Sequence, residues 1–352
     1  MSTDVAGQKK YPALFYGDRA KKSSCYTGKI LYCIIKNLIK DCFFLRFVVK
    51  YFLYLFNQRK NAMLDFITNP FAGGESGKKI RKAVDILEKE LIKRRIEHTF
   101  HFTTYRKEAI KITQEIIKNG GTDIIVVGGD GTLHEVLNGF SDFDKVNLGI
   151  IPCGTGNDFA AALKIPFKPI EALDLILNGE AKYTDFMQMP TVRGINIIGM
   201  GVDVGVLKRY EALKRKTKFG YTSCLIKTLA NFEYSDFDAT IDGEKEHYRS
   251  FIACVANGHR YGGGIPICPV ADPTDGKLDF VAVKEMKKLK IIKAFIKLKG
   301  GKVFDLKESV HIPFTDIKID AQKPYTVNVD GELYDDIPFE VKIISNTLKF
   351  YR

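Results

Sequence analysis

An α/β domain built on an open parallel sheet, followed by a mainly antiparallel β-sandwich domain, is the fold that this 352-residue sequence predicts. Three observations carry it. Two β-branched runs, Ile124–Val127 and Leu148–Ile151, each end in a glycine-acid loop, Gly128-Gly129-Asp130-Gly131-Thr132 and Gly154-Thr155-Gly156-Asn157-Asp158, and each loop opens a helix-like stretch. Strand and helix patterns alternate from Met63 to about Asp185, as adjacent β-α units of a parallel sheet require. Past Asp185 the pattern becomes short β-rich segments with Asp-Gly turns at or near their ends (Asp242-Gly243, Asp275-Gly276, Asp330-Gly331), the habit of antiparallel strands.

Taken in order, Met63–Thr68 reads as a buried strand, and Asn69-Pro70-Phe71-Ala72-Gly73-Gly74 turns the chain out of it. Ile80, Val84, Leu87, Leu91 and Ile92 recur at helical spacing and predict the first helix. Thr99–Phe102 predicts a second strand, with Thr103 or Thr104 capping a helix that runs through Ile117. The two glycine-acid units follow and end near Leu163. In the second half, strands are expected at Gly194–Met200, Asp238–Ile241, Ser250–Ala256, Leu278–Val283, Thr315–Ile319, Tyr325–Val329 and Phe339–Ile344. A helical insert is expected near 204–231, and Lys287–Lys299 forms a basic amphipathic stretch, read as a solvated helix packed on the sheet. The expected boundaries are an N-terminal extension over 1–62, an α/β domain over 63–187 and a β-rich domain over 188–352 whose last residues return to the first.

Seven cysteines without a CxxC pair, and six histidines without an HExxH spacing, indicate neither a disulfide framework nor a zinc site and favour a reducing, cytoplasmic interior. The net charge of +12 is uneven: residues 1–60 hold twelve Lys and Arg against three Asp, leaving +3 for the rest. With no basic stripe interleaved with aromatics in the body, nucleic acid is not the expected partner.

Residues 30–56 are strongly apolar but broken by a charge every few residues, so no uncharged run approaches the roughly 20 residues of a spanning helix. On a helical wheel Lys29, Lys36, Lys40, Arg46 and Lys50 share an arc of roughly 120°. That stripe fits a helix lying in a membrane interface, with lysines toward anionic headgroups. The competing reading is an upstream extension ahead of a start at Met63.

Ligands of open parallel sheets bind where the strands deliver their carboxyl ends. Glycines there let the backbone approach phosphate, and helix N-termini offer unpaired N–H groups to anions. An aspartate in each loop would repel a phosphate unless a cation lies between them, which points to a nucleotide with Mg²⁺. Local roles compete. Thr132 and Glu135 have the T-x-x-E spacing of a capping box, and Asn157 or Asp158 could cap a helix. Asp330 and Glu332, on alternate strand positions, could share a face and raise each other's pKa, unless 330–332 is a tight turn. His134 reads as a solvated helix residue and Cys153 as packing. Gly73 to Lys79 imitates a P-loop, but Ala72 and Lys79 stand where Gly and Ser or Thr are needed.

The ordered set Asn69 to Gly73, Thr103 with Ala109, GGDGT with Glu135, Gly154 to Asp158, Asp185, Asp275-Gly-Lys277 and Asp330-Gly-Glu332 resembles the diacylglycerol kinase catalytic-domain family, in its bacterial soluble lipid-kinase branch, over essentially all of 63–352. The resemblance implies the two-domain lipid kinase fold, with a Rossmann-like first domain, ATP in the cleft and a lipid alcohol as acceptor. By position, Asn69, Pro70, Phe71, Ala72, Gly73, Thr103, Gly129, Asp130, Gly131, Thr132, Glu135, Thr155, Asn157 and Asp158 would surround ATP. Asp130, Asp158 and Asp185 would organise water and metal beneath the phosphates. Asp275, with the carbonyls of Asp272 and Lys277, would hold a structural Mg²⁺. Asp330 and Glu332 would flank the acceptor hydroxyl, Glu332 as the favoured base. The expected activity is transfer of the γ-phosphoryl of ATP to diacylglycerol or a similar lipid, peripherally at the membrane, with a homodimer among the open assemblies. A kinase of another lipid alcohol (a sphingoid base, phosphatidylglycerol, a polyprenol) and a non-catalytic membrane-bound nucleotide sensor are the alternatives.

Overall fold

The computed structural model describes residues 63–70, 77–213, 218–230, 232–321 and 325–352. The expected extension over 1–62, and Phe71, Ala72 and Gly73 of the expected nucleotide site, lie outside the described residues.

Strands β1 (Leu64–Thr68), β2 (His98–Phe102), β3 (Asp123–Gly128) and β4 (Asn147–Pro152) pair in parallel in the order β2-β1-β3-β4. Every residue of β1 and β3 is buried. Such unbroken burial is what helices on both faces of a parallel sheet produce. Helix α1 (Gly77–Arg94) packs with α5 (Pro169–Asn178), and α2 (Glu108–Lys118) with α3 (Asp130–Gly139). Ile80, Val84, Leu87 and Leu91 of α1 are buried as expected, whereas Ile92 is exposed, because it sits one 100° step beyond Leu91, off the apolar stripe.

The second domain is antiparallel. Its strands are β7 (Ile197–Gly201), β8 (Ser235–Ile241), β9 (Glu244–Ala256), β10 (Leu278–Lys284), β11 (Ser309–Phe314), β12 (Asp316–Ala321), β13 (Thr326–Val329), β14 (Glu332–Asp335) and β15 (Phe339–Tyr351). They run β14-β13-β7-β9-β8-β12-β15, with β10 between β9 and β11. Side chains alternate between two cores. Met200, Val255, Phe280 and Ala282 enter the sandwich interior, while Ile197, Cys254, Val281 and Val283 pack under helices α6 (Val202–Glu211), α7 (Lys218–Ala230) and α8 (Lys288–Lys299). The last strand, β15, runs antiparallel to β5 (Ala181–Gln188), which also pairs with the short β6 (Arg193–Gly194), and parallel to β4, so one sheet continues through both halves.

Three strands escaped the sequence: β5, β11 and β14. Strand β9 also begins six residues before the expected Ser250, since Glu244 to His247 are exposed on both faces and show no apolar alternation. In α8 the buried residues include Ile291, Ala294 and Leu298, while Ile296 points outward.

Candidate active site

Parallel pairing of β3 with β4, in register through Gly128 opposite Pro152, delivers both glycine-acid loops to one sheet edge. The amides of Cys153 and Gly154 donate to the Gly128 carbonyl at 2.7 and 3.1 Å, locking the loops together. A Cβ on Gly154 would lie 2.5 Å from the Gly129 Cα, so close backbone approach requires glycine here. Asp130 then reaches across. Its carboxylate accepts the amides of Asp158 (3.1 Å) and Phe159 (3.2 Å), capping the short helix α4 (Asp158–Ala162) from a neighbouring loop.

The local caps expected from sequence are therefore replaced by distant ones. Asn157 occupies the cap position with φ 52°, but its side chain closes the loop on Gly154 (2.9 and 3.1 Å) instead. Helix α3 starts at Asp130, so Thr132 and Glu135 already lie inside it and form no capping box. Glu135 accepts the amides of Lys107 (3.0 Å) and Ala109 (3.3 Å), which caps α2. That helix begins at Glu108, not after Thr103 or Thr104; the Thr103 amide continues the strand by donating to Thr68.

Burial, with the nearby Asp158 carboxylate adding to it, pushes Asp130 up to about 6. Burial raises Asp158 too, while the Gly263 amide (2.8 Å) and the Arg260 guanidinium (3.1 Å) oppose the rise. Cys153 is buried with its thiol pushed up to about 11, which suits packing and not nucleophilic attack.

Asp330 and Gly331, both at positive φ (53° and 96°), form a two-residue hairpin turn between β13 and β14. The alternate-strand pairing of Asp330 with Glu332 is thereby lost. Asp330 turns inward, fully buried, and accepts the amides of Ile195 (2.8 Å), Asn196 (2.8 Å) and Ile197 (3.1 Å). Its second oxygen also meets His134 Nδ1 at 3.0 Å, and His134 Nε2 meets the Tyr334 hydroxyl at 3.0 Å. His134 is thus a buried bridge between α3 and the hairpin, not a solvated residue. Glu332 points the other way and pairs with Arg106.

Asp185 belongs to a separate cluster. It accepts the Gly276 amide (2.8 Å), and its own amide donates to Pro273 (2.8 Å). Burial raises its pKa, and the Asp275 and Asp272 carboxylates add to that. Asp275 also accepts the Lys277 amide at 3.0 Å. Neither this loop nor Asp185 lines the two cavities at the glycine-acid loops. Oxygen donors with unbalanced negative charge around one glycine turn nonetheless suit a hard cation.

Two cavities meet at Asp130. One, of 590 Å³, is lined by Asn69, Gly129 to Thr132, Glu135 and Gly154 to Gly156, with Arg106 and Glu332 opposite. The other, of 440 Å³, runs beneath the helices of the second domain past Asp203, Leu225, Ile265 and Phe295. Asp130, Thr155, Gly156, Leu207, Tyr210 and Gly331 belong to both walls.

Residues 63–189 match the diacylglycerol kinase catalytic domain, and residues 196–352 match the YegS C-terminal NAD kinase beta sandwich-like domain. A diacylglycerol kinase of Bacillus subtilis is 30% identical over 283 residues, spanning 78% of this chain and 91% of that one. This chain belongs to the diacylglycerol kinase catalytic-domain family. The crystal structure of a diacylglycerol kinase from Bacillus anthracis, 26% identical, superposes with a TM-score of 0.63 over 82% of this chain and 96% of its own.

Arg106, Asn196 and Asp203 line these cavities and Arg260 pairs with Asp158, although none of the four stands out in the sequence reading. Asp203 had a legible signal, an acid two residues beyond a strand that ends in Gly201. Arg106 and Arg260 had none, since each acquires its acidic partner only through tertiary packing. Among the described residues, no helix is long and apolar enough to cross a membrane.

Proposed function

We propose that this protein transfers the γ-phosphoryl of ATP to the hydroxyl of diacylglycerol or a similar membrane lipid, giving phosphatidic acid or its equivalent. The carrying observation is the wall around Asp130 shared by the 590 Å³ cleft and the 440 Å³ cavity. A phosphate held against the Gly129 to Thr132 and Gly154 to Gly156 backbone would face an alcohol entering from the second cavity. Phosphoryl transfer depends on that positioning and on charge neutralisation. Arg106 supplies one fixed positive charge at the cleft. Mg²⁺, when bound, supplies the rest; Asp158, which lines the second cavity, would hold it, and Asp275 with the carbonyls of Asp272 and Lys277 would hold a structural one.

We assign proton removal from the acceptor hydroxyl to Asp130. It faces both cavities, and a pKa near 6 suits a base working at neutral pH. Glu332, paired with Arg106, lines only the nucleotide cleft and is given a role in orienting ATP. Asp330, its carboxylate spent on three amides, holds the hairpin and the Ile195 to Ile197 backbone in place.

A second reading of the acceptor has its own support. Asn196 and Asp203 put two polar side chains on the wall of the second cavity, among Ile197, Leu207, Leu225, Ile265 and Phe295. Polar groups on an otherwise apolar wall favour a headgroup carrying further hydroxyl or amino groups, such as a polyol or amino alcohol. Exposed Ile226 and Ile296, next to cavity-lining Leu225 and Phe295, would let helices α7 and α8 meet a bilayer. Labelled ATP offered with diacylglycerol, phosphatidylglycerol, a sphingoid base and a polyprenol in micelles, resolved by thin-layer chromatography, tests both readings. Label transfer to none of them, or a nucleotide and magnesium soak showing ADP away from both glycine-acid loops, would overturn the proposal.

A further inference from the structure

We propose that Cys268, Asp279 and His311 form a Zn²⁺ site that fastens the loop carrying Arg260 and Gly263. One ligand atom from each residue lies within 4.8 Å of the other two. The strands place them. Asp279 and Val281 are successive same-face positions of β10, and Val281 stands opposite His311 on β11, so Asp279 and His311 are diagonal neighbours on one sheet face. Cys268 packs onto that face among the core residues beneath the helices. The thiol and the carboxylate are buried, while His311 remains partly exposed and gives an ion its route in.

Sulfur, imidazole nitrogen and a single carboxylate make a borderline-soft donor set. Mg²⁺ and Ca²⁺ prefer oxygen cages, whereas this combination suits tetrahedral Zn²⁺ with water in the fourth position. Asp279 Oδ1 and His311 Nε2 are now 2.6 Å apart, sharing a hydrogen bond. Two tetrahedral zinc ligands at about 2.0–2.1 Å from the ion sit about 3.3 Å apart, so the pair needs to open by less than an ångström. The Phe304 ring, 4.7 Å from that of His311, packs against the imidazole and orients it. Binding exchanges the thiol S–H bond and the His–Asp hydrogen bond for three metal–ligand bonds: the thiol proton leaves to solvent, and the imidazole proton passes from Nε2 to Nδ1 so that Nε2 can ligate.

The consequence reaches the active site through the backbone. The Cys268 amide donates to the His259 carbonyl at 3.2 Å, closing the loop from 259 to 268 at its base. Within it, Arg260 and the Gly263 amide are the partners of Asp158. An ion at Cys268 would hold that loop in place whichever lipid the protein accepts.

The test is a Co²⁺ titration of the reduced full-length chain, read by thiolate-to-cobalt charge transfer and the strong visible bands of tetrahedral cobalt, followed by displacement with Zn²⁺. We expect one equivalent to bind, the bands to vanish on adding Zn²⁺, and Zn²⁺ to raise the melting temperature. Cys268→Ser should abolish the charge-transfer band, and His311→Gln, which removes a ligand, should weaken binding by more than the roughly 10- to 100-fold that loss of an outer-shell partner costs. Should Cys268→Ser fail to fold, His311→Gln, altered at a partly exposed strand position, decides alone. A missing band means that no thiolate ligates the ion, and a band unchanged in Cys268→Ser, or affinity unchanged in His311→Gln, means that the metal binds elsewhere; each refutes the site.

Discussion

Replacing Asp130 with Asn should remove activity and at the same time stabilise the protein at neutral pH. A carboxyl group raised from 3.8 to about 6 by folding is held charged at a cost. At 1.36 kcal/mol per pH unit, that cost is about 3 kcal/mol above pH 6. The sign follows from proton binding. Between pH 4 and 6 the folded state keeps a proton that the unfolded chain has released, so this group's contribution to stability is fully present below about pH 4 and is lost as the pH rises through the folded pKa. Asparagine never pays this cost. It does, however, offer one oxygen to the two amides of Asp158 and Phe159, leaving one of them facing an NH₂ group at about 1–2 kcal/mol. The variant should therefore be about 1–2 kcal/mol more stable above pH 6 and less stable than wild type below about pH 4. Scanning calorimetry across that range would show the difference in melting temperature changing sign. Phosphoryl transfer should drop about 10²- to 10⁴-fold, and wild-type kcat should fall as pH drops below about 6. A variant less stable than wild type at pH 7.5 would show that the carboxylate is not held charged at a cost, and one within tenfold of normal turnover would end its role as the base.

Other substitutions separate positioning from chemistry. Glu332→Gln breaks the pair with a largely exposed Arg106, so stability should change by less than about 1 kcal/mol while KM for ATP rises several-fold in steady-state assays. Asp330→Ala strands three buried amides beside His134 and should cost about 3–5 kcal/mol, visible as a large drop in melting temperature. Gly154→Ala forces the two loops apart and should abolish nucleotide binding by calorimetry, whereas Gly131→Ala, which has open space around its Cβ position, should fold normally. Glu135→Ala removes the cap of α2 and should cost about 1–2 kcal/mol in thermal melts.

The two-domain plan and the place of the glycine-acid loops can be read from local pattern alone. Buried parallel strands leave continuous β-branched runs, and glycine is needed wherever two backbones touch, so β3, β4 and their loops are written locally. Strands β11 and β14 were not, because partly exposed strands in this second domain carry no strict apolar alternation. Only the tertiary structure decided the partners of the acidic side chains. Thr132 with Glu135 reads as a capping box and Asp330 with Glu332 as a paired strand face, yet Glu135 caps α2 and Asp330 folds back on Ile195 to Ile197. Asp130 caps a helix 28 residues away, and Asp158 meets Arg260 more than 100 residues on. A carboxylate accepts from whichever donor packing brings within about 3 Å, and sequence spacing fixes that donor only inside a single turn or helix.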